Sequence, residues 1–353
     1  MLKKLQNSLN DTQLTYTETL QPLWSGYGKI SRYYSPKLAT SVIVKSVTPP
    51  HSIIHPRGWH SEVAHQRKLT SYTIEANFYQ TYAKDFVKLC PKSCYIPQII
   101  NFSKSHEYSK SQEKIETQVL VMEDLQHLGF HDKNSPLSLT DIKAVIHWLA
   151  NFHARFIGHK ADNLWPVGTY WYLETRQDEL NNMQDGPLKQ AAHFIDSTLN
   201  NVHYQTIVHG DAKLANFCFS GANNSDEIDN KEDNQRGNKL DNTSKRIAAV
   251  DFQYVGKGIG VKDLAYFLGS GLTDNDLTKR HNELLNYYFD ELSQACIDYK
   301  QDINFSALEK EWRKLYSFAN ADFHRFLQGW SPKHQKINNY LQRQTNLALR
   351  YYF

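Results

Sequence analysis

Cysteine is scarce in this chain: Cys90, Cys94, Cys218 and Cys296 are the four present, with neither paired Cys-x-x-Cys spacing nor the density of a disulfide scaffold. A reduced, cytoplasmic protein is the simplest reading. Long apolar runs are missing too, and none approaches the ~20 residues that a membrane-spanning helix needs. The stretch Met1-Leu2-Lys3-Lys4-Leu5-Gln6-Asn7 is basic without an apolar segment behind it, so no signal peptide is expected. Nor is there an excess of one charge: the formal net charge is +3 and the basic residues are scattered, which gives no support to a nucleic-acid partner. What is present, 353 residues that are 40% hydrophobic and 22% charged, suffices for two lobes with substantial cores.

The informative stretch is Val208-His209-Gly210-Asp211-Ala212-Lys213-Leu214-Ala215-Asn216-Phe217, which sets a carboxylate, a lysine and a carboxamide at fixed offsets just after a short β-like run. A second carboxylate closes another apolar run in Ala249-Val250-Asp251-Phe252-Gln253. Phosphoryl transfer from a nucleotide needs such a set: one Asp to orient an acceptor hydroxyl, and an Asn with another Asp to hold magnesium against the phosphates. In a loop leaving a strand, Asp211 can project into a cleft while Asn216 folds back beside it. Lys213 can then reach the transferred group, where a point cation stabilises developing negative charge. Mg²⁺ takes oxygen ligands, and the side-chain oxygens of Asn216 and Asp251 suit it.

At these residues the chain resembles the aminoglycoside phosphotransferase and choline kinase-like superfamily, which shares the protein-kinase fold. The matching positions are His209-Gly210-Asp211 with Asn216, then Asp251-Phe252-Gln253, then Gly258-Ile259-Gly260-Val261-Lys262-Asp263-Leu264-Ala265-Tyr266-Phe267-Leu268. Within the superfamily it looks most like the ecdysteroid-kinase-like small-molecule kinases, which carry Asp-Phe-Gln where protein kinases have Asp-Phe-Gly. The resemblance implies an α+β, bilobal architecture with a small β-rich N-lobe and a larger, mostly helical C-lobe. It also implies ATP and Mg as cofactors and a small-molecule alcohol as acceptor. By the same resemblance Asp263 braces the catalytic loop through its backbone, and His153 matches a recurrent histidine that reads as a satisfied core group. His209 reads as structural.

The N-terminal half fits the same pattern. Ser41-Val42-Ile43-Val44-Lys45 is β-branched and reads as a strand, and the resemblance makes Lys45 the lysine that binds the α- and β-phosphates. Helical spacing places Ile74, Phe78 and Tyr82 on one face, and Glu75 would pair with Lys45. Trp24-Ser25-Gly26-Tyr27-Gly28-Lys29 is a candidate phosphate-covering loop, because Gly26 and Gly28 let backbone amides approach an anion. In the superfamily, Thr117-Gln118-Val119-Leu120-Val121-Met122-Glu123-Asp124-Leu125 corresponds to the last N-lobe strand and the hinge, with Glu123 and Leu125 offering backbone groups to the adenine. That puts an N-terminal nucleotide-binding lobe at 1–124 and a catalytic and acceptor-binding lobe at 125–353.

Beyond the hinge, Ser138 and Asp141 suggest a capping box for a buried helix whose stripe is Ile142, Val145, Ile146, Leu149, Phe152 and Phe156. Residues 221–245, polar and empty of aromatics, predict a mobile surface insertion. Thr273-Asp274-Asn275 offers caps for a helix carrying Leu277, Leu284, Leu285, Tyr288 and Leu292. Trp312, Tyr316, Phe323 and Trp330 read as core packing, with an aromatic cage for a cationic acceptor as the rival. Gln253 and the lack of an Ala-Pro-Glu segment favour a metabolite over a polypeptide as acceptor. A catalytically silent nucleotide-binding scaffold and a protein kinase remain as alternatives.

Overall fold

The computed structural model describes residues 1–23, 26–49, 62–108, 114–131, 136–220 and 245–353. The insertion at 221–245, except Lys245, and the loop residues Trp24 and Ser25 lie outside these. A short helix, α1 (Leu2–Leu9), precedes three strands, β1 (Thr15–Pro22), β2 (Gly28–Ser35) and β3 (Thr40–Val47). Then come α2 (Glu62–Thr81), α3 (Ala83–Leu89), β4 (Cys94–Tyr95), β5 (Ile99–Tyr108) and β6 (Lys114–Glu123). The five-stranded sheet runs β1-β2-β3-β6-β5 and is antiparallel throughout.

Strand alternation explains how Lys45 is aimed. Side chains of a strand point to opposite faces in turn, so Val42 and Val44 join Leu5, Leu14, Tyr33 and Val121 in a small core under α1. The intervening Ile43 packs on the main core and Val47 packs with Tyr72 of α2. Lys45 shares that second face and is buried. On α2 the spacing puts Ile74 and Phe78 in the main core as expected; the helix ends at Thr81, and Tyr82, at the start of α3, still packs against it.

The remainder is mostly helical. It comprises β7 (Phe130–His131), α4 (Leu139–Phe156), α5 (Gln177–Asn182), α6 (Pro187–Gln190), α7 (Ala192–Asn200), β8 (Thr206–Val208), β9 (Phe217–Ser220), β10 (Ile247–Ala249) and β11 (Gly256–Gly258). Four helices finish the chain: α8 (Gly260–Gly271), α9 (Asp274–Asp298), α10 (Phe305–Trp330) and α11 (Asn339–Leu349). The capping box holds, with Ser138 Oγ accepting from Asp141 N and the Asp141 carboxylate accepting from Ser138 N. All six stripe residues of α4 are buried. Thr273 caps α9, and its predicted apolar face is buried.

Two small sheets carry the motif loops. β8 pairs with β11, and β9 lies between β10 and β7, so the segments ending in His209 and Val250 emerge side by side. Helix α2 and the Tyr82 that follows it are tied to the C-lobe by Asn77 Nδ2 to Asn163 O at 3.0 Å, Tyr82 OH to Asp162 O at 3.0 Å and Arg67 Nη1 to Thr175 O at 2.5 Å. Phe252 stacks on Phe78 at 4.1 Å between centroids. No described helix is long and apolar enough to cross a membrane. The four cysteines are free thiols.

Candidate active site

The loop after β8 is fixed from behind. Asp263, in the first turn of α8, accepts hydrogen bonds from His209 N at 2.6 Å and Gly210 N at 3.0 Å, and its Oδ2 lies 3.1 Å from His153 Nε2. The other ring nitrogen of His153 meets Tyr288 OH at 2.8 Å, so α4, α8 and α9 brace one loop through a buried chain. Gly210 sits at φ +77°, and a Cβ there would come within 2.0 Å of Tyr254 O, which excludes any larger residue.

His209 links the two motifs. Its Nδ1 accepts from Asp211 N at 3.3 Å, which leaves Nε2 to donate to Val250 O at 3.0 Å. The ring also lies 4.5 Å from Phe252, so the residue clamps the Asp211 and Asp251 loops together. The reading of His209 and His153 as structural fits these contacts.

Asp211, Lys213 and Asn216 form one cluster. Lys213 Nζ lies 2.9 Å from Asp211 Oδ2, and Asn216 Nδ2 donates to Asp211 O at 2.8 Å and to Oδ2 at 3.2 Å. With its amide hydrogens spent on Asp211, Asn216 keeps Oδ1 as an acceptor. Asp251 adopts φ +67°, a left-handed conformation that Asp tolerates better than most side chains. Its Oδ1 is buried with no hydrogen-bond partner among the described residues. An orphaned carboxylate oxygen is costly unless something else satisfies it, and a hard cation would.

The electrostatics separate the two acids. Burial raises the Asp211 carboxyl, Asp251 raises it further, and Lys213 only partly opposes them, so it ends above its ordinary range. Asp251 is buried too, but Lys45, Lys213 and Lys68 outweigh that and hold it below. Two carboxylates pushed apart in this way are suited to different tasks, one exchanging a proton and one staying ionised.

Lys45 Nζ lies 2.6 Å from Glu75 Oε2, and both side chains are buried. Burial raises the Glu75 carboxyl against the pull of Lys45. Replacing Lys45 by Met should therefore leave a Glu75 that protonates rather than stays charged. The stability loss is expected near the lower end of the range for broken buried pairs, about 3 kcal/mol, with weakened nucleotide affinity. Chemical denaturation and nucleotide titration read the two effects separately.

A cavity of about 480 Å³ opens on this cluster, with Asp211, Lys213 and Asp251 in its wall. Leu23 and its neighbours at the end of β1, and Phe323, Trp330 and Lys336, also line it. Of the residues expected from sequence, Asp211, Lys213, Asn216 and Asp251 come together. Lys45 and Glu75 lie behind them, close enough for Lys45 to act on Asp251. Gly28 is explained by its own backbone: a Cβ would meet Ser46 O at 1.9 Å. The Gly26 N–H is spent on Leu23 O at 3.2 Å. Neither observation requires a phosphate. At the segment expected to be the hinge, the Glu123 carboxylate accepts from Tyr95 OH and Gln98 N, and Leu125 O accepts from Phe130 N. Among the described residues the Leu125 N–H has no acceptor.

The reading of the α10 aromatics as core packing holds for Trp312 and Tyr316 in the main core and for Phe323 in a second buried cluster, against which Trp330 packs; Phe323 and Trp330 also line the cavity. Sequence reasoning missed Lys68, Tyr72 and Lys336. Lys68 precedes Glu75 by two helical turns, and that spacing could have revealed it; its Nζ lies 2.8 Å from Gln253 Oε1 and 4.8 Å from the Tyr72 ring centroid. Gln253, which also accepts from Ser71 Oγ at 3.3 Å, thus ties its motif to α2.

Residues 40–162 and 236–301, more than half of the chain, match the family model described as the ecdysteroid kinase-like family. The chain belongs to this family. It is kinase-like, of the α+β bilobal class with a β-rich N-lobe and a helical C-lobe. Among solved structures it is similar to a microcompartment-associated aminopropanol kinase at 11% identity and TM-score 0.47, covering 99% of this chain and 94% of that one. A second is a mutant aminoglycoside 2'-phosphotransferase-IIIa bound to GDP, at 9% identity and TM-score 0.48, covering 99% and 97%. No curated protein matches it in sequence.

Proposed function

We propose that the chain transfers the γ-phosphoryl group of ATP to a hydroxyl of a small molecule. The observation that carries this reading is that Asp211 and Asp251, 40 positions apart in sequence, face one cavity with Lys213 and Lys68 in the same wall. Asp211 orients the acceptor hydroxyl and takes its proton; its raised carboxyl makes it the better base of the two. Lys213, beside it, neutralises charge on the group in flight. Lys45, held by Glu75, and Lys68, held by Gln253, supply positive charge for the remaining phosphates.

Asn216 Oδ1 and the orphaned Asp251 Oδ1 suit a magnesium ion, which when bound would neutralise phosphate charge. The Leu125 N–H suits the adenine edge. The nucleotide is accordingly assigned to the side of residues 1–124, and the acceptor to the aromatic end of the cavity within 125–353. The ties between α2 and the C-lobe hold Glu75 on Lys45 without a phosphorylation step, which favours a constitutive metabolite kinase. Cytoplasmic residence agrees with this reading.

The test is incubation of the purified protein with ATP, magnesium and a metabolite extract, followed by mass spectrometry. A small molecule gaining one phosphate is expected. Phosphate appearing only on polypeptides would replace the reading with a protein kinase. Nucleotide binding without transfer to any acceptor would leave a scaffold.

A further inference from the structure

The cavity already contains a cation of its own. Lys336, in the segment between α10 and α11, places Nζ 4.7 Å from the Tyr266 ring centroid and 5.7 Å from that of Phe323. Among the described residues its ammonium has no carboxylate within ion-pair distance and no hydrogen-bond acceptor. Asp211 is close enough to influence it but is engaged by Lys213 and Asn216. Burial accordingly lowers the lysine to about 8, against the pull of Asp211.

From this arrangement we infer that Lys336 is an anion-binding subsite for the acceptor, and that the acceptor is an alcohol carrying a carboxylate, sulfate or phosphate on an apolar or aromatic body. The inference rests on the phosphotransferase reading and refines it. The argument has two parts. The Tyr266 and Phe323 faces, which could have held a cationic acceptor, are occupied by the protein's own cation, so a second one there would meet like charge in a poorly solvated space. Conversely, a partly buried ammonium without a counter-charge gains most from a charge-assisted hydrogen bond to an anion. The acceptor hydroxyl would face Asp211 while its apolar body lies against Phe323 and Trp330, both of which line the cavity.

A matched triple on one aromatic body tests this: 4-(hydroxymethyl)benzoate, its methyl ester, and 4-(hydroxymethyl)benzylamine. Binding of each to the protein loaded with a non-hydrolysable ATP analogue and magnesium is measured by calorimetry, with ATP consumption followed in parallel. The acid is expected to bind tightest and the amine weakest, with acid and ester differing by roughly tenfold to a hundredfold, the worth of a hydrogen bond to a charged group. Lys336→Met should erase the difference between acid and ester while leaving nucleotide affinity unchanged.

Failure of the acid to bind, an amine that binds as well as the acid, or a preference that survives in Lys336→Met each overturn the inference. A Lys336→Met protein that loses nucleotide affinity equally with every acceptor also overturns it, by placing the lysine on the nucleotide phosphates. Should the parent protein bind no nucleotide, it is the phosphotransferase reading that fails, and the two failures are told apart by the nucleotide titration alone.

Discussion

Replacing Asp211 by Asn is expected to slow phosphoryl transfer by roughly a hundredfold to ten-thousandfold, the range associated with a positioned general base, with nucleotide binding and melting temperature close to those of the parent. Asn is nearly isosteric, and its Oδ1 can still accept from Lys213, which lies 2.9 Å from the carboxylate and is partly exposed. What it cannot do is take a proton. Two changes in stability then oppose each other: the attraction of Lys213 weakens, and the repulsion from Asp251 disappears. The melting temperature should consequently move little.

A pH profile adds a second, independent readout. Burial, supported by Asp251, raises the Asp211 carboxyl above its ordinary range. Only the deprotonated form can accept a proton, so the rate should fall as pH drops through that raised value, above where a free aspartate titrates. Asp211→Asn should have a low, flat profile in the same region. A variant as fast as the parent, or one that keeps the acid limb, would remove Asp211 from the proton path.

The parts of this arrangement that were legible in the sequence are those set by short-range chain geometry. Asp211, Lys213 and Asn216 lie within one loop, and five residues of loop can bring an amide back onto a carboxylate, as the 2.8 and 3.2 Å bonds from Asn216 show. The alternation of β3 places Lys45 on the face of Ile43 and Val47, while its partner Glu75 came from the family resemblance; the two meet at 2.6 Å once α2 packs on the sheet. The α4 stripe was legible for the same reason, because 3.6-residue periodicity is a local property.

Properties that depend on packing distant elements were not legible. Trp312, Tyr316, Phe323 and Trp330 share α10 and are all aromatic, yet the first two sit in the main core, while Phe323, buried in a second cluster, and Trp330 line the cavity. Which side of a long helix is covered depends on partners from elsewhere in the chain, here Tyr170, Trp171 and Tyr266 around Phe323 and Phe326. Lys336 lies in an irregular segment with no periodic signal, 125 positions from Asp211. Gly28 has a packing reason that the sequence did not show: a Cβ there would run into the Ser46 carbonyl of the neighbouring strand.

Asp263 is where the largest loss of stability should be found. Asp263→Ala removes the acceptor for His209 N, Gly210 N and the His153 ring at once, and all three groups are buried. Each stranded donor costs about 1–3 kcal/mol. Because the groups are neighbours and share one relaxation, the total should fall below the simple sum, at about 3–5 kcal/mol. Against a typical domain stability of about 5–15 kcal/mol, that is enough to shift the melting temperature by roughly 10 °C. Asp263→Asn separates the two duties of the residue. Its Oδ1 can still accept from one backbone amide, and its Nδ2 can donate to His153 Nε2 if that ring carries its proton on Nδ1, toward Tyr288 OH. It should therefore lose about half as much stability. The loop it holds would still shift, so kcat should fall while nucleotide affinity, which the proposed reading assigns to Lys45 and Leu125, stays near that of the parent. Equal stability in Asp263→Ala and the parent, measured by chemical denaturation, would show that water or a rearranged loop satisfies these donors, and the brace would lose its role in positioning Asp211.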